Sequence, residues 1–301
     1  MKDYLWEKKG EGDAETKELE SALGAARFTG MILPQAPVRE RPWRLVAVVA
    51  VGLATAAGAG FLILPRGIPV ETPFVEVRTA NGAPMKLYVE KWFETAVGAH
   101  AQIQVAQIGV IDLQPDSRIR VLRSDAKQQR LQLARGSLHA RVSAPPRLFI
   151  VETPAVTAVD LGCEYDLGVE PGGGTRLRVR TGWVALEGQG KQSLVAAGMD
   201  CVTAAGKGPG TPLSQTSTQE FRAAISRFDA ADVASLDAAL PLAGAGDGVT
   251  LWHLLSRVDA AHREAVYERL NGFVPSPDPK AKVLALEKPA LDAWWAAITK
   301  E

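Results

Sequence analysis

The hydrophobic rhythm of the chain changes character three times. From Leu45 to Leu64 twenty residues pass without a charge, set between Arg44 and Arg66. At about 1.5 Å of rise per residue a helix of that length reaches roughly 30 Å, the hydrocarbon thickness of a bilayer, so the run predicts a transmembrane helix over 45–64. Beyond it the period is two. Ile119 and Val121 alternate with Arg118 and Arg120, Leu131 and Leu133 with polar neighbours, and Leu138, Ala140 and Val142 with His139 and Arg141. Further strands are expected at Leu148 to Glu152, Cys163 to Val169, Leu177 to Leu186 and Leu194 to Thr203, parted by turn signals at Pro115-Asp116, Arg135-Gly136, Pro145-Pro146, Thr181-Gly182 and Ala197-Gly198. Short strands at this spacing predict an all-β antiparallel sandwich or roll. After a linker rich in Gly, Pro, Ser and Thr, Gly206 to Thr218, the period becomes helical. Phe221, Ile225 and Phe228 are followed by Leu236 and Leu240, then Leu251, Leu254, Leu255 and Val258, then Val266, Leu270 and Phe273, and a last helix from Pro289 to Ala297. A small C-terminal helical domain is the simplest account, with Asp229 or Asp232 and Asp247 or Thr250 as candidate N-caps.

The leader ahead of the apolar run reads as one amphipathic helix and a tether. Asp13 can cap a helix running to about Arg27, with Leu19, Leu23 and Ala26 on one stripe and Leu5 and Trp6 preceding it. Forty-four residues cannot bury a core of their own, so Leu5, Trp6, Leu19 and Leu23 are expected to dock on a partner protein. Gly30 to Pro42 is a linker. Arg39, Arg41 and Arg44 crowd the amino-terminal flank while Arg66 stands alone after the run, which places the leader in the cytoplasm and the bulk of the chain outside. A cleaved signal peptide would have a shorter apolar core and a small-x-small site after it, and neither is present. Gly52, Ala56 and Gly60 would allow close helix approach in a homodimer, although small residues are common in such helices anyway. The expected organisation is thus 1–44 cytoplasmic, 45–64 transmembrane, 65–210 β domain with its core at 101–205, and 211–301 linker and helical domain.

Composition adds limits. Lys and Arg number 34 against 34 Asp and Glu, so no net field attracts nucleic acid. Cys163 and Cys201 both fall in the part assigned outside, where an oxidising space permits a disulfide. Closing that loop of about forty residues would add on the order of 3 to 4 kcal/mol by the chain-entropy account; the alternative is two buried thiols acting as small hydrophobes. The four histidines, His100, His139, His253 and His262, form no set with metal-ligand spacing. Neither a G-x-S-x-G elbow nor a phosphate-binding G-x-x-x-x-G-K-[ST] loop occurs, and Asp116 and Asp160 sit at turn positions that favour Asp for backbone reasons. No enzyme, metal or cofactor is expected. Trp252, Trp294 and Trp295 suit core or interface packing, or else an exposed docking surface.

The stretch Gln104 to Gly210 resembles a FecR-type domain through consecutive elements in the family's order. Ala106-Gln107-Ile108-Gly109 with Leu113 to Arg118 resembles the opening hairpin, and Leu131 to Leu138 the "L-x-x-G" hairpin. Pro146 to Pro154 resembles the "P-F-x-V-x-T-P" strand. Ala158 to Tyr165 resembles the "A-x-G-T-x-F" signature with Cys163 where Thr is common, and Val179 to Val184 and Val195 to Gly198 resemble the two closing Gly-centred hairpins. The positions that carry the likeness are Gly109, Asp116, Gly136, Phe149, Gly162, Tyr165 and Gly182. The resemblance implies a single-pass inner-membrane regulator in bacteria. Its periplasmic β domain would sense a protein or ligand, and its cytoplasmic leader would control an extracytoplasmic-function sigma factor. The leader has no His/Cys zinc set and is shorter than a multi-helix anti-sigma domain, so a membrane-anchored periplasmic scaffold without a sigma partner is the alternative.

Overall fold

One long strand organises the β region. In the computed structural model of the protein, which describes residues 73–79 and 82–300, Gln129–Val142 forms a single strand of 14 residues, β7. Its apolar positions change parity along the way: Leu131 and Leu133 point into the core from odd positions, Leu138, Ala140 and Val142 from even ones. The change is accommodated at Gly136, whose φ of +79° is open to glycine at no steric cost, and where a Cβ would lie 2.2 Å from Ser117 Oγ. The sequence expectation of two strands split by an Arg135-Gly136 turn is therefore corrected. Gly136 bends a strand that continues, and β7 belongs to two sheets, one on each side of the bend.

The first sheet runs β2 (Met85–Tyr88), β1 (Phe74–Thr79), β4 (Ala101–Val105), β5 (Gly109–Leu113), the second half of β7, β10 (Glu164–Val169), β11 (Thr175–Thr181), β14 (Met199–Thr203) and β15 (Leu213–Ser214). The second runs β3 (Trp92–Glu94), β6 (Arg118–Ser124), the first half of β7, β8 (Phe149–Glu152), β9 (Thr157–Asp160), β12 (Trp183–Gly188) and β13 (Lys191–Ala196). Every pairing is antiparallel except β7 with β8. The inner faces meet in one cluster that includes Val77, Ile103, Ile111, Leu113, Ile119, Leu133, Phe149, Tyr165, Leu167, Leu177 and Leu186, all fully buried. Each such side chain contributes about 1.5–3 kcal/mol over its exposed state, which makes this interior the main source of stability for the sandwich. The strands β1 to β3 precede the region that periodicity had marked.

The C-terminal part is helical: α1 (Gln219–Asp229), α2 (Ser235–Ala239), α3 (Gly248–Leu255), α4 (Ala260–Asn271), α5 (Lys280–Leu284) and α6 (Lys288–Ile298). Phe221, Ile225, Leu236, Leu251, Leu254, Leu255, Val266, Leu270 and Trp294 form its own buried cluster. The caps differ from those expected. Thr218 Oγ1 accepts from Phe221 N to start α1, and Asp259 accepts from His262 N to start α4. Asp229 bonds to Thr211, and Asp247 accepts from Gly244 N and Ser217 Oγ, so neither side chain caps a following helix.

The segment 206–218 differs from a free linker. Gly208 to Leu213 are buried, and a Cβ on Gly210 would lie 2.1 Å from Val202 O. Together with the helices and the sandwich it belongs to one unit, Glu71–Glu301. The leader with Leu5, Trp6, Leu19 and Leu23 and the apolar run 45–64 lie outside the described residues. Among those that are described, no helix is long and apolar enough to cross a membrane.

Candidate functional site

The family-like positions converge on the corners where the chain passes between sheets. After β9 the Asp160 carboxylate, itself buried, accepts from Gly162 N at 2.7 Å and from Cys163 Sγ at 2.6 Å. This closes a tight turn with Gly162 at φ +90° and launches β10. Gly182, at the break between β11 and β12, sits directly on that turn: a Cβ there would lie 2.1 Å from Gly162 O. Tyr165, two residues past Cys163, is fully buried and its hydroxyl has no hydrogen-bond partner among the described residues. Burial raises the Asp160 pKa above the ordinary carboxylate value, opposed by its bonds to Cys163 and Gly162. Burial first, then the Asp160 charge, raises the Cys163 thiol far above the usual range, and burial raises the Tyr165 phenol. A thiol held protonated is a poor nucleophile, so this corner is built for packing and shape. Outside it, Cys163 and Gly162 line an open groove of about 450 Å³ together with Gln104, Gly109, Arg141 and Ser143.

A second cluster joins the helices to the sandwich. Arg257, just past α3, donates through Nη2 to Ser193 Oγ (2.6 Å) and through Nη1 to Thr211 Oγ1 (3.0 Å) and Pro209 O (3.3 Å), with Asp229 Oδ1 at 3.8 Å. Asp229 in turn accepts from Thr211 N and Thr211 Oγ1. The guanidinium thereby ties β13, the buried strap and α1 together. Burial lowers the Arg257 pKa, opposed by Asp229. His253, on α3, is buried against Leu194 of β13, and burial with the nearby Arg257 charge lowers its pKa to about 3. Trp295 packs on Trp183 of β12 at 5.3 Å and on Trp252 at 4.6 Å.

The solvent face of the first sheet is a ladder of alternating charge. Arg141 pairs with Asp112, His139 lies between Glu164 and Asp166, Arg180 pairs with Asp166, and Asp200 holds both Arg178 and Arg222. The exposed pairs contribute little each, whereas the Asp200 carboxylate is itself buried and ties Arg178 of β11 to Arg222 of α1.

The sequence-predicted residues divide clearly. Gly136, Gly162 and Gly182 take positive φ at sheet corners, and Asp116 does the same at φ +53° with Arg135 beside it. Gly109 lies against Arg141 O, where a Cβ would come within 2.3 Å. Phe149 and Tyr165 are core. Cys163 and Cys201 are free thiols, which corrects the disulfide expectation. Cys201 pairs with Leu177 and Leu177 with Leu167, so the two cysteines lie two strands and four residues apart, about 10 Å in one direction and 13 Å in the other, far beyond bridging reach. Cys201 Sγ instead donates to Gly210 O at 3.2 Å, and burial raises its pKa to about 12. The tryptophans form no exposed docking surface. Trp294 is fully buried and donates to Val274 O, Trp252 donates to Leu291 O, and Trp295 is engaged with Trp183. Sequence reasoning missed Arg257 and read Asp229 only as a candidate N-cap; their pairing depends on the path of the strap. No group of His, Cys, Asp and Glu among the described residues could hold a metal ion.

Residues 92–185, within the sandwich, match the family described as FecR protein. No curated protein sequence matches the chain. Two crystal structures of a candidate anti-sigma factor from Parabacteroides distasonis ATCC 8503, at 1.65 and 2.50 Å resolution, are each 17% identical to the chain with a TM-score of 0.36. Each match covers 41% of this chain and 58% of that one, so the chain spans little more than half of the protein it resembles.

Proposed function

We infer from the FecR domain at 92–185 that the chain is a regulatory signal transducer, anchored by the apolar run 45–64 in a bacterial inner membrane with residues 73–300 on the periplasmic side. Its receiver is the sandwich with its helical cap, and its output is the leader, whose Leu5, Trp6, Leu19 and Leu23 bind an extracytoplasmic-function sigma factor. The observation that carries this reading is the coincidence of the family match with the corner residues Gly136, Gly162 and Gly182, the positions that bend this sandwich. An outer protein or ligand acts by binding one state of the receiver more tightly than another, and it shifts leader occupancy by no more than that difference.

Two measurements on the tagged full chain in a bacterial host test this. Protease added to spheroplasts should degrade the region after residue 73 and spare the leader, and purification should retain a sigma factor that Trp6→Ala with Leu23→Ala releases. Protection of the outer region would reject the topology. Correct topology with no sigma factor retained would favour the alternative, a membrane-anchored envelope scaffold.

A further inference from the structure

The point at which the chain joins the sandwich is aromatic and partly bare. Pro73 O accepts from Val89 N at 3.1 Å, which fastens the first described residues to the turn between β2 and β3. Phe74 meets Tyr88 edge-on at 5.9 Å, and the turn that follows is closed by Lys91 N donating to Tyr88 O. Trp92 begins β3 immediately after it. Tyr88 is 42% exposed, Trp92 37% and Met85 48%, three of the few large apolar side chains left open among the described residues. Cations accompany them: Lys86 Nζ lies 4.1 Å from the Phe74 ring, and the Arg118 and Arg120 guanidiniums lie 4.3 and 4.7 Å from the Trp92 ring. Glu94 and Glu90 pair with those two arginines, so the patch carries little net charge. Among the described residues β2 pairs only with β1 and β3 only with β6, so both are outer strands there.

We propose that this edge, Phe74, Tyr88 and Trp92 with Lys86, Arg118 and Arg120, is seated on the lipid headgroups of the membrane that the run 45–64 enters. The proposal rests on the anchoring read above and adds where the receiver lies. From Leu64 to Pro73 the chain has nine steps, a reach of at most about 30 Å at full extension, so the edge that begins at Phe74 is within covalent reach of the bilayer surface. Tyr and Trp are the side chains that favour the interfacial layer, with an apolar body and a polar tip, and Lys86 beside them can reach a phosphate oxygen, while Arg118 and Arg120, held by Glu94 and Glu90, steady the Trp92 ring. Seating this edge also covers two outer strands that would otherwise invite pairing with another chain. The membrane then fixes the orientation of the receiver.

The test uses the full chain reconstituted in vesicles of phosphatidylethanolamine and phosphatidylglycerol, with and without bromine on the acyl chains. The chain has seven tryptophans, so the emission of Trp92 is taken as the difference between the parent and Trp92→Phe, and that of Trp183, at the far side of the second sheet, as the difference from Trp183→Phe. Bromine should quench the Trp92 difference and leave the Trp183 difference intact. Flotation of the vesicles reports the anchor separately. A chain that floats with Trp92 unquenched overturns the seating alone, including the case in which a second copy covers the edge. A chain that does not float overturns the anchor and the seating together.

Discussion

His253 Nε2 lies 3.3 Å from the amide nitrogen of Leu194 and 3.1 Å from its carbonyl oxygen. The imidazole thus stands where a neighbouring strand would pair with β13, and the helical region closes that outer strand with a side chain. Burial lowers the ring's pKa to about 3, with the Arg257 charge adding to it. The unfolded chain takes up this proton near pH 6.5 and the folded chain does not, so this contribution to stability is complete above about pH 6.5 and falls as the pH drops toward 3, by on the order of 5 kcal/mol in all. Urea unfolding at pH 7, 6 and 5 should show this loss in the parent and a flatter dependence in His253→Gln. Equal slopes in the two proteins would remove the titration from His253.

Gly182 and Gly198 both take positive φ, +71° and +74°, where the chain crosses from one sheet to the other, from β11 to β12 and from β13 to β14, so the closing hairpins that the family likeness implied are sheet-to-sheet crossings; yet their surroundings differ. A Cβ at Gly182 meets Gly162 O at 2.1 Å, a backbone atom that cannot rotate away, while a Cβ at Gly198 meets nothing within 4 Å. Gly198→Ala should therefore cost about 1 kcal/mol of backbone strain. Gly182→Ala adds a clash at the Asp160 turn and should cost about 3 kcal/mol or more. Thermal denaturation of both variants decides it, and similar losses would mean that the Gly182 contact is not tight.

What the sequence disclosed follows from what is local. Alternation at Ile119, Leu133, Leu138 and Leu167 marked strands because one face of each meets the core, and heptad-like spacing at Leu251, Leu254 and Leu255 marked α3 for the same reason. The parity change between Leu133 and Leu138 was visible too, but parity alone cannot separate a turn from a bend within one strand, and pairing on both sides of Gly136 decides it. The parallel pairing of β7 with β8, the burial of Gly208 to Leu213 and the meeting of Arg257 with Asp229 are long-range. Gly and Pro content marks a loop and carries no information on whether another part of the chain will cover it. The same holds for Cys163 and Cys201, whose compartment could be argued from the apolar run while their separation depends on strand order.

Both cysteines should behave as buried thiols. Cys163 Sγ donates to Asp160 and Cys201 Sγ to Gly210 O, and each thiol is held protonated. A maleimide reagent on the native protein at neutral pH should therefore label neither at a measurable rate. In denaturant, without reductant, it should label both. Mass spectrometry of the labelled chain gives the count, and a denatured chain that takes up label only after reduction would restore the bridge.

Arg257 is the residue on which attachment of the helices turns. Truncating it leaves Asp229 partly buried beside Thr211 without its cation, and leaves Ser193 Oγ without that donor while its bond to Gly210 O remains. Removing one partner of such a pair costs about 3 kcal/mol or more, because the remaining charge is uncompensated. The strap carrying Gly210 lies over Cys201, so loosening it should expose that sulfur ahead of global unfolding. In Arg257→Ala on a Cys163→Ser background, labelling of Cys201 under native conditions should accelerate at least tenfold, the change expected for about 1.4 kcal/mol of local opening. Arg257→Lys should fall between, since an ammonium replaces one of the two guanidinium arms. If Cys201 stays unlabelled in Arg257→Ala while the denaturation midpoint falls, the strap and the sandwich unfold together, and Arg257 supports the whole unit rather than a separable cap.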